Sequence, residues 1–370
     1  MEYIALKDVC RINMGQSPES SSYNERGDGI PFFQGNADFG ERYPVTRIWC
    51  NKPTKIANAG DILISVRAPI GALNYAREVC CIGRGLAAIT PDSSKFSTEF
   101  IYWLLKGKNA ELNSKGTGST FKAIGRKVLE ETMIPDYGFE QQHACAVNLE
   151  KVYAIIQMRR QELLKLDELI KARFVEMFGG EKNLMAMSDI CSIITDGTHQ
   201  PPKFKEDGIP FIFVSNITSD KLTYEAEKFI DQDTYNELVK RTPIEIGDVL
   251  LSTVGSYGHP AVVKSDKKFL FQRHIAYLKP KKEIVDSDYL HGAILSPGAQ
   301  RQIEQGVKGI AQKTLNLSEI KKMRIPIPNM DKQKEFATFV AQVDKSKAQV
   351  QKALDETQLL FDSLMQEYFG

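Results

Sequence analysis

The chain lacks the features that would place it in a membrane or outside the cell. No apolar run approaches the roughly 18–20 residues of a membrane span. The opening Met1-Glu2-Tyr3-Ile4 has no basic stretch leading into an apolar one, so no secretory signal is expected. The six cysteines, Cys10, Cys50, Cys80, Cys81, Cys145 and Cys191, contain no Cys-x-x-Cys. That spacing argues against a zinc or redox centre and predicts reduced, mostly buried thiols in a cytoplasmic protein. Charge of one sign is lacking too. The formal net charge is +1 over 370 residues, so any nucleic-acid surface must arise from local clustering.

Catalytic signatures are equally scarce. Gly116-Thr117-Gly118-Ser119-Thr120 has no lysine to reach a phosphate, so it is not a nucleotide-binding P-loop. No G-x-G-x-x-G opens a helix after a strand, and Gln200-Pro201-Pro202-Lys203 is not the [DN]-P-P-[YF] turn of amino-methyltransferases. His143, His199, His259, His274 and His291 stand apart from one another, without H-E-x-x-H spacing, so no metal is expected. Pro91-Asp92 and Pro135-Asp136 are not followed by the E-x-K of a nuclease. At about twice the usual domain length, the chain reads as a binder of two or more domains.

What the sequence does contain, it contains twice. Leu6-Lys7-Asp8-Val9-Cys10-Arg11-Ile12 matches Met187-Ser188-Asp189-Ile190-Cys191-Ser192-Ile193. Gly29-Ile30-Pro31-Phe32-Phe33 matches Gly208-Ile209-Pro210-Phe211-Ile212, and Arg84 and Pro91 match Arg273 and Pro280. From Ile134-Pro135 and Ile325-Pro326 the offset is 325 − 134 = 191, and it holds without a gap to Phe178-Gly179 and Phe369-Gly370. Chance does not preserve order in this way.

Each copy has two parts. The first alternates strand-like runs (61–66, 80–89, 247–253 and 269–278) with turn residues and a helical piece at 98–105 or 288–295. The second is a single long helix, Phe139–Phe178 or Met330–Phe369, free of proline and stopped by glycine. The reading is an α+β fold with domains at 1–139 and 180–329, alternating with long helices at 140–179 and 330–370.

The helices carry a heptad-like seam. In the first it runs Leu149, Val152, Ile156, Leu163, Leu166, Ile170 and Met177, interrupted by Arg159 and Arg173. In the second it runs Val340, Val343, Val350, Leu354, Phe361, Leu364 and Tyr368, interrupted by Lys347 and Thr357. Because the interruptions are staggered, the helices are expected to pair with each other rather than with copies of themselves.

Local charge points to nucleic acid. Residues 114–127 hold Lys115, Lys122, Arg126 and Lys127 without an acid, beside Thr117, Ser119 and Thr120. The matching stretch offers Lys308, Gln312 and Lys313. Hydroxyls, glycine-rich backbone and basic side chains are the usual phosphate ligands. Gln34, Asn36, Arg67, Arg77, Arg84, Gln272, Arg273 and His274 add groups suited to base edges, and Lys203 and His259 complete the candidate set.

The ordered, duplicated motifs resemble the specificity subunit of a type I restriction-modification system. The carrying residues are Gly60-Asp61-Ile62-Leu63-Ile64-Ser65 and Gly247-Asp248-Val249-Leu250-Leu251-Ser252, each with a later glycine, Gly71 or Gly258. Next come Gly116-Thr117 with Gly306-Val307, then Ile134-Pro135 with Ile325-Pro326-Ile327-Pro328. Glu140-Gln141-Gln142 and a degraded Asp331-Lys332-Gln333 open the long helices. The resemblance covers essentially the whole chain. It implies a non-catalytic subunit whose two target recognition domains each read half of a bipartite site in double-stranded DNA. It further implies an antiparallel helix pair, pseudo-twofold symmetry and docking of two methyltransferase subunits. S-adenosylmethionine would belong to those partners, and ATP and Mg to a restriction and motor subunit; this chain would carry no cofactor. The alternatives are the specificity module of a fused, type IIG-like enzyme and a coiled-coil scaffold that binds protein.

Overall fold

The computed structural model describes residues 2–118, 122–309 and 312–370, so candidates Ser119 and Thr120 lie outside the described residues. The chain forms two compact units, Met1–Arg159 with Ala353–Gly370, and Arg160–Lys352.

Each unit is organised by a four-stranded antiparallel sheet. In the first the order is Cys10–Met14, Leu86–Pro91, Ile62–Ser65, Leu73–Tyr75. In the second it is Cys191–Asp196, Ile275–Pro280, Val249–Ser252, Pro260–Val262. The registers agree: Ile62 faces Ile89 and Tyr75, and Val249 faces Leu278 and Val262. Ile62–Ser65 and Val249–Ser252 are buried along their whole length, which explains why their sequences are apolar without alternation.

The Gly-Asp pair before each of these strands locks a turn. Gly60 and Gly247 sit at φ +87 and +95, where a side chain is strained. Buried Asp61 accepts from the Asn58 amide at 2.8 Å and from Thr90 Oγ1 at 2.7 Å. Asp248 accepts from the Glu245 amide at 2.8 Å and from Tyr277 Oη at 2.7 Å. These repeated residues therefore build the scaffold.

One sequence expectation fails in both copies. The run 80–89 is two strands, Cys80–Ile82 and Leu86–Pro91, in different sheets. The run 269–278 likewise divides into Leu270–Phe271 and Ile275–Pro280. The chain breaks at 83–85 and crosses from one sheet to the other. There a Cβ on Gly83 would lie 2.7 Å from Gln34 Oε1, and one on Gly85 2.5 Å from the Gln34 carbonyl. Only glycine permits that approach. In the second sheet of each unit, Ile30–Phe33 runs parallel to Cys80–Ile82 and Ile209–Ile212 to Leu270–Phe271.

The long helices, Phe139–Phe178 and Met330–Phe369, fall where the sequence places them. In the first unit Asn148 Nδ2 donates to Tyr368 Oη at 3.2 Å, and Tyr153 meets Phe361 at 6.2 Å. In the second unit Asp167 pairs with Lys347, and Phe174 meets Phe336 at 5.4 Å. One number rises as the other falls, so the segments run antiparallel in each unit. Of the heptad-spaced residues, Leu149, Ile156, Val340, Val343, Val350 and Phe361 are buried and the others half-buried. Leu164, Leu169, Leu359 and Leu360 lie off the seam and are exposed. Lys347, which interrupts the seam, is accommodated by its ion pair with Asp167.

The start of each long helix is tied to its unit by one buried glutamine. Gln142 accepts from the Ser97 amide at 3.0 Å and donates to the carbonyls of Lys95 at 3.0 Å and Tyr137 at 2.7 Å. Gln333 accepts from the Asp286 amide at 2.9 Å and donates to Ile284 at 3.0 Å and Pro328 at 2.9 Å. Ser97 and Asp286 are the N-caps of the helices Thr98–Gly107 and Ser287–Leu295. The Asp331-Lys332-Gln333 motif has therefore kept its structural residue. Glu140, Gln141, Asp331 and Lys332 are exposed.

All six cysteines are buried and unbridged. Burial, the largest cause in each case, pushes the thiols of Cys10, Cys80 and Cys191 up to about 12 and raises those of Cys81 and Cys145. Thiolate is the reactive form. Iodoacetamide at pH 7.5 is thus expected to label the native protein negligibly and all six thiols once it is denatured. Rapid native labelling, read by intact mass, would contradict this burial.

Candidate nucleic-acid interface

The break between the two sheets creates an exposed ridge in each unit. Arg84 is exposed at its crest, between buried Gly83 and Gly85. The Gly83 amide donates to the Phe33 carbonyl at 2.8 Å and that of Gly85 to the Gln34 carbonyl at 3.1 Å. The Arg84 amide donates to Ser17 Oγ at 3.3 Å, and Ser17 in turn bonds the Gln34 side chain. Asn36 follows in a short 3-10 turn, Asn36–Asp38, held by Asp38 Oδ2 accepting the Gln34 amide at 2.7 Å.

The ridge continues through the backbone. The Val66 amide donates to the Gly85 carbonyl at 2.9 Å, and the Ala68 amide to Lys122 at 3.0 Å. Arg67 and Thr117 both bridge Ala123. Gln34, Arg84, Arg67, Lys122 and Thr117, five exposed candidates, are thereby brought to one edge.

The second unit repeats four of the backbone bonds of this break, while its Arg273 amide donates to the Thr198 carbonyl at 3.0 Å where that of Arg84 meets Ser17 Oγ. The Gln272 amide donates to Ile212 at 3.1 Å, as Gly83 does to Phe33. The Thr253 amide donates to His274 at 2.9 Å, as Val66 does to Gly85, and the Gly255 amide to Lys313 at 3.3 Å, as Ala68 does to Lys122. The Thr198 amide donates to Phe271 at 2.9 Å, as Gln16 does to Ile82 at 3.0 Å. Arg273 is exposed where Arg84 is, with half-buried Gln272 and His274 beside it and Lys313 along the same edge. Burial, then Arg273, lowers the His274 pKa below its ordinary value. Both causes favour the neutral ring, which offers one donor and one acceptor.

Register corrects one sequence match. Thr117 pairs with Ala123 and Lys308 with Thr314, so Thr117 corresponds to Lys308 and not to Val307. Gln312 and Lys308 lie exposed on either side of that hairpin.

Other candidates have different engagements. Arg77 stands 4.7 Å above the Tyr43 ring. Lys115 pairs with Glu111 at 2.6 Å and Arg126 with Glu130 at 2.7 Å along their own helices. His259, just before the strand Pro260–Val262, has its Nδ1 2.8 Å from Asp220 Oδ1 and its amide donating to Ser252 Oγ at 2.9 Å. Lys203 is exposed in the segment before Ile209–Ile212. Sequence reasoning missed Ser17, Thr198 and the cluster in which Asp196 holds Arg241 at 2.5 Å and His199 at 2.9 Å. The aligned glycines Gly15 and Gly197 were the available signal. Their amides donate to Leu86 and Ile275 and bring the following residues to the break.

No group of His, Cys, Asp and Glu among the described residues could hold a metal ion. No helix among them is long and apolar enough to cross a membrane.

Comparison with known proteins supplies the family. The type I restriction modification DNA specificity domain matches residues 1–168 and again 181–357. A protein assigned as the type I restriction enzyme MjaX specificity subunit of Methanocaldococcus jannaschii is 43% identical over 161 residues. That match covers 44% of this chain and 38% of the relative, well under half its length. The type I restriction enzyme EcoBI specificity subunit of Escherichia coli is 22% identical over 410 aligned positions, covering 99% of this chain and 85% of the relative. A crystal structure of the S subunit of a type-I restriction-modification system from M. genitalium shares the fold. It has a TM-score of 0.53 at 15% identity and covers 100% of this chain and 96% of that one. Specificity subunits are the recognition component of such systems and not their catalysts. With two matches that together span most of its length, the chain belongs to the type I restriction modification DNA specificity family.

Proposed function

We propose that the chain recognises a bipartite site in double-stranded DNA, each unit reading one half through its ridge. The observation that carries this reading is the repetition, through four matching backbone bonds, of the break that presents Arg84 in one unit and Arg273 in the other. An arginine on a rigid crest suits bidentate contact to guanine, and neutral His274 suits a base edge. Lys122 and Lys313, beside the crests, suit phosphate, which positions without reading. The long helices hold the half-sites apart and dock two methyltransferase subunits. Those partners bind S-adenosylmethionine, and restriction and motor subunits use ATP and Mg; this chain contributes specificity and no cofactor.

Duplex binding at increasing salt, together with sequencing of the methylated motif made by the assembled enzyme, tests the reading. Arg84→Ala is expected to relax one half-site and Arg273→Ala the other, each by about 1–3 kcal/mol of discrimination. Lys122→Ala and Lys313→Ala are expected to weaken all sequences alike and reduce the salt slope by about one. Duplex binding that ignores salt, or an unchanged motif in both arginine variants, would refute it.

A further inference from the structure

One of the differences between the copies leaves a cavity. In the first unit the Arg42 guanidinium stands 5.0 Å from the ring centres of Tyr102 and Trp103 and 5.1 Å from that of Tyr153. Phe361 closes on Trp103 at 5.6 Å, and Tyr75 stacks on Tyr102 at 4.5 Å. Arg42 also pairs with Glu150. This corner is filled by rings clasping the chain's own arginine.

The counterparts in the second unit follow from the helix caps, the long-helix offset and the sheet register. The N-caps Ser97 and Asp286 differ by 189, so Tyr102 and Trp103 become His291 and Gly292. The long-helix offset of 191 turns Tyr153 into Asp344 and Phe361 into Ile170. Sheet register (Ile62 opposite Tyr75, Val249 opposite Val262) turns Tyr75 into Val262. Equating the turn-capping Asp38 and Asn216 turns Arg42 into Asp220. All six of these counterparts line one cavity of about 430 Å3 within the second unit. A single exchange offsets part of the lost volume. Phe336 stands where the first unit has Cys145, and a Cβ on Gly292 would lie 2.5 Å from its ring.

The walls describe the occupant. The cavity is lined by apolar Ile170, Leu222, Val262 and Val340. Its lining charges balance, four lysines (Lys171, Lys221, Lys264, Lys347) against four aspartates (Asp167, Asp220, Asp288, Asp344). Lys221 is paired to Asp344 at 3.2 Å, Lys264 to Asp288 at 2.9 Å, Lys347 to Asp167, and Asp220 to His259. An occupant of net charge is therefore not called for. The His291 Nε2 donates to the Asp220 carbonyl at 2.8 Å, which makes Nδ1 the ring's acceptor. The volume falls in the range of small-ligand sites.

We propose that this cavity binds an uncharged planar aromatic group bearing an N–H, of one or two fused rings, replacing the rings that the first unit supplies from its own chain. The group is either a free aromatic molecule or an aromatic side chain of a partner protein.

Indole is the probe, titrated into the full-length chain by calorimetry or ligand-observed NMR. Saturable binding in the micromolar to millimolar range is expected for so small a ligand. Val262→Tyr and Asp344→Tyr each restore a ring of the first unit and are expected to weaken binding at least tenfold while the far-UV spectrum and thermal midpoint hold. Gly292→Trp paired with Phe336→Cys restores a third ring without the clash and should do the same. Adding the methyltransferase subunit separates the sources: a partner side chain displaces indole, whereas a site for a free ligand keeps it. Absence of saturable binding by the wild-type chain, or undiminished binding by all the folded filled variants, overturns the proposal. The DNA-recognition reading stands or falls separately, on the salt and motif measurements.

Discussion

Gln142→Leu is expected to lower the thermal midpoint of the protein by roughly 6–12 °C. The substitution removes the partner of the Ser97 amide and of the Lys95 and Tyr137 carbonyls, at a position with no exposed surface. Each buried group left unsatisfied costs about 1–3 kcal/mol. Allowing for relaxation, a total of roughly 3 kcal/mol is reasonable, at about 2–4 °C per kcal/mol for a domain of this size. Gln333→Leu should act equally in the second unit, because its three bonds have the same geometry. Gln141→Leu, one residue away and exposed, should be nearly silent. Glutamate at 142 would set a carboxylate against two carbonyls, so its variant should be poor at neutral pH and recover partly on acidification as the carboxyl gains a proton to donate. Calorimetry decides, and a Gln142→Leu midpoint within a degree or two of wild type would remove the glutamine from its assigned role.

The second large effect is on spacing. Inserting four residues after Leu163 and four after Leu354 should lengthen each long helix by about 6 Å, just under two base pairs at roughly 3.4 Å each. Under the proposed function, the assembled enzyme should lose its original site and modify one with the same half-sites and a wider gap. Sequencing of the methylated motif reads this directly. The insertion shifts the seam phase by about 40° from a whole turn, so the variants must first be shown to melt cooperatively near the parent. Retention of the original gap by a well-folded double insertion would mean that the helices do not set the spacing.

Legibility in the sequence followed the range of the forces involved. The long helices were readable to the residue because helix propensity, a glycine stop and a seam of alternating three- and four-residue steps agree along forty positions. The break at 83–85 was not, since Gly83 and Gly85 answer to Gln34, about fifty positions away. Asp331-Lys332-Gln333 looked degraded because the eye weighs three letters equally, whereas burial weighs only Gln333. The candidate interface divided along the same line. Arg84, Arg67, Lys122 and Thr117 reach one edge through long-range backbone bonds that repetition hinted at. Lys115 and Arg126 came from a local basic run and Arg77 from the groups suited to base edges, and their contacts with Glu111, Glu130 and Tyr43 are made within their own neighbourhoods.

The discontinuity of the first unit bears on how the protein is made. Phe361 and Phe369 belong to the same buried cluster as Phe100 and Trp103, so that core is complete only when 353–370 has joined it. The second unit is continuous, from Arg160 to Lys352. On a ribosome adding about 5–20 residues per second, the first unit must wait on the order of 10–40 s for its last helix segment while its neighbour is being synthesised. The order of synthesis is therefore reversed in the order of completion. The part translated first spends that interval with Trp103 and Tyr153 lacking the ring that covers them, the state in which a nascent chain most needs a chaperone.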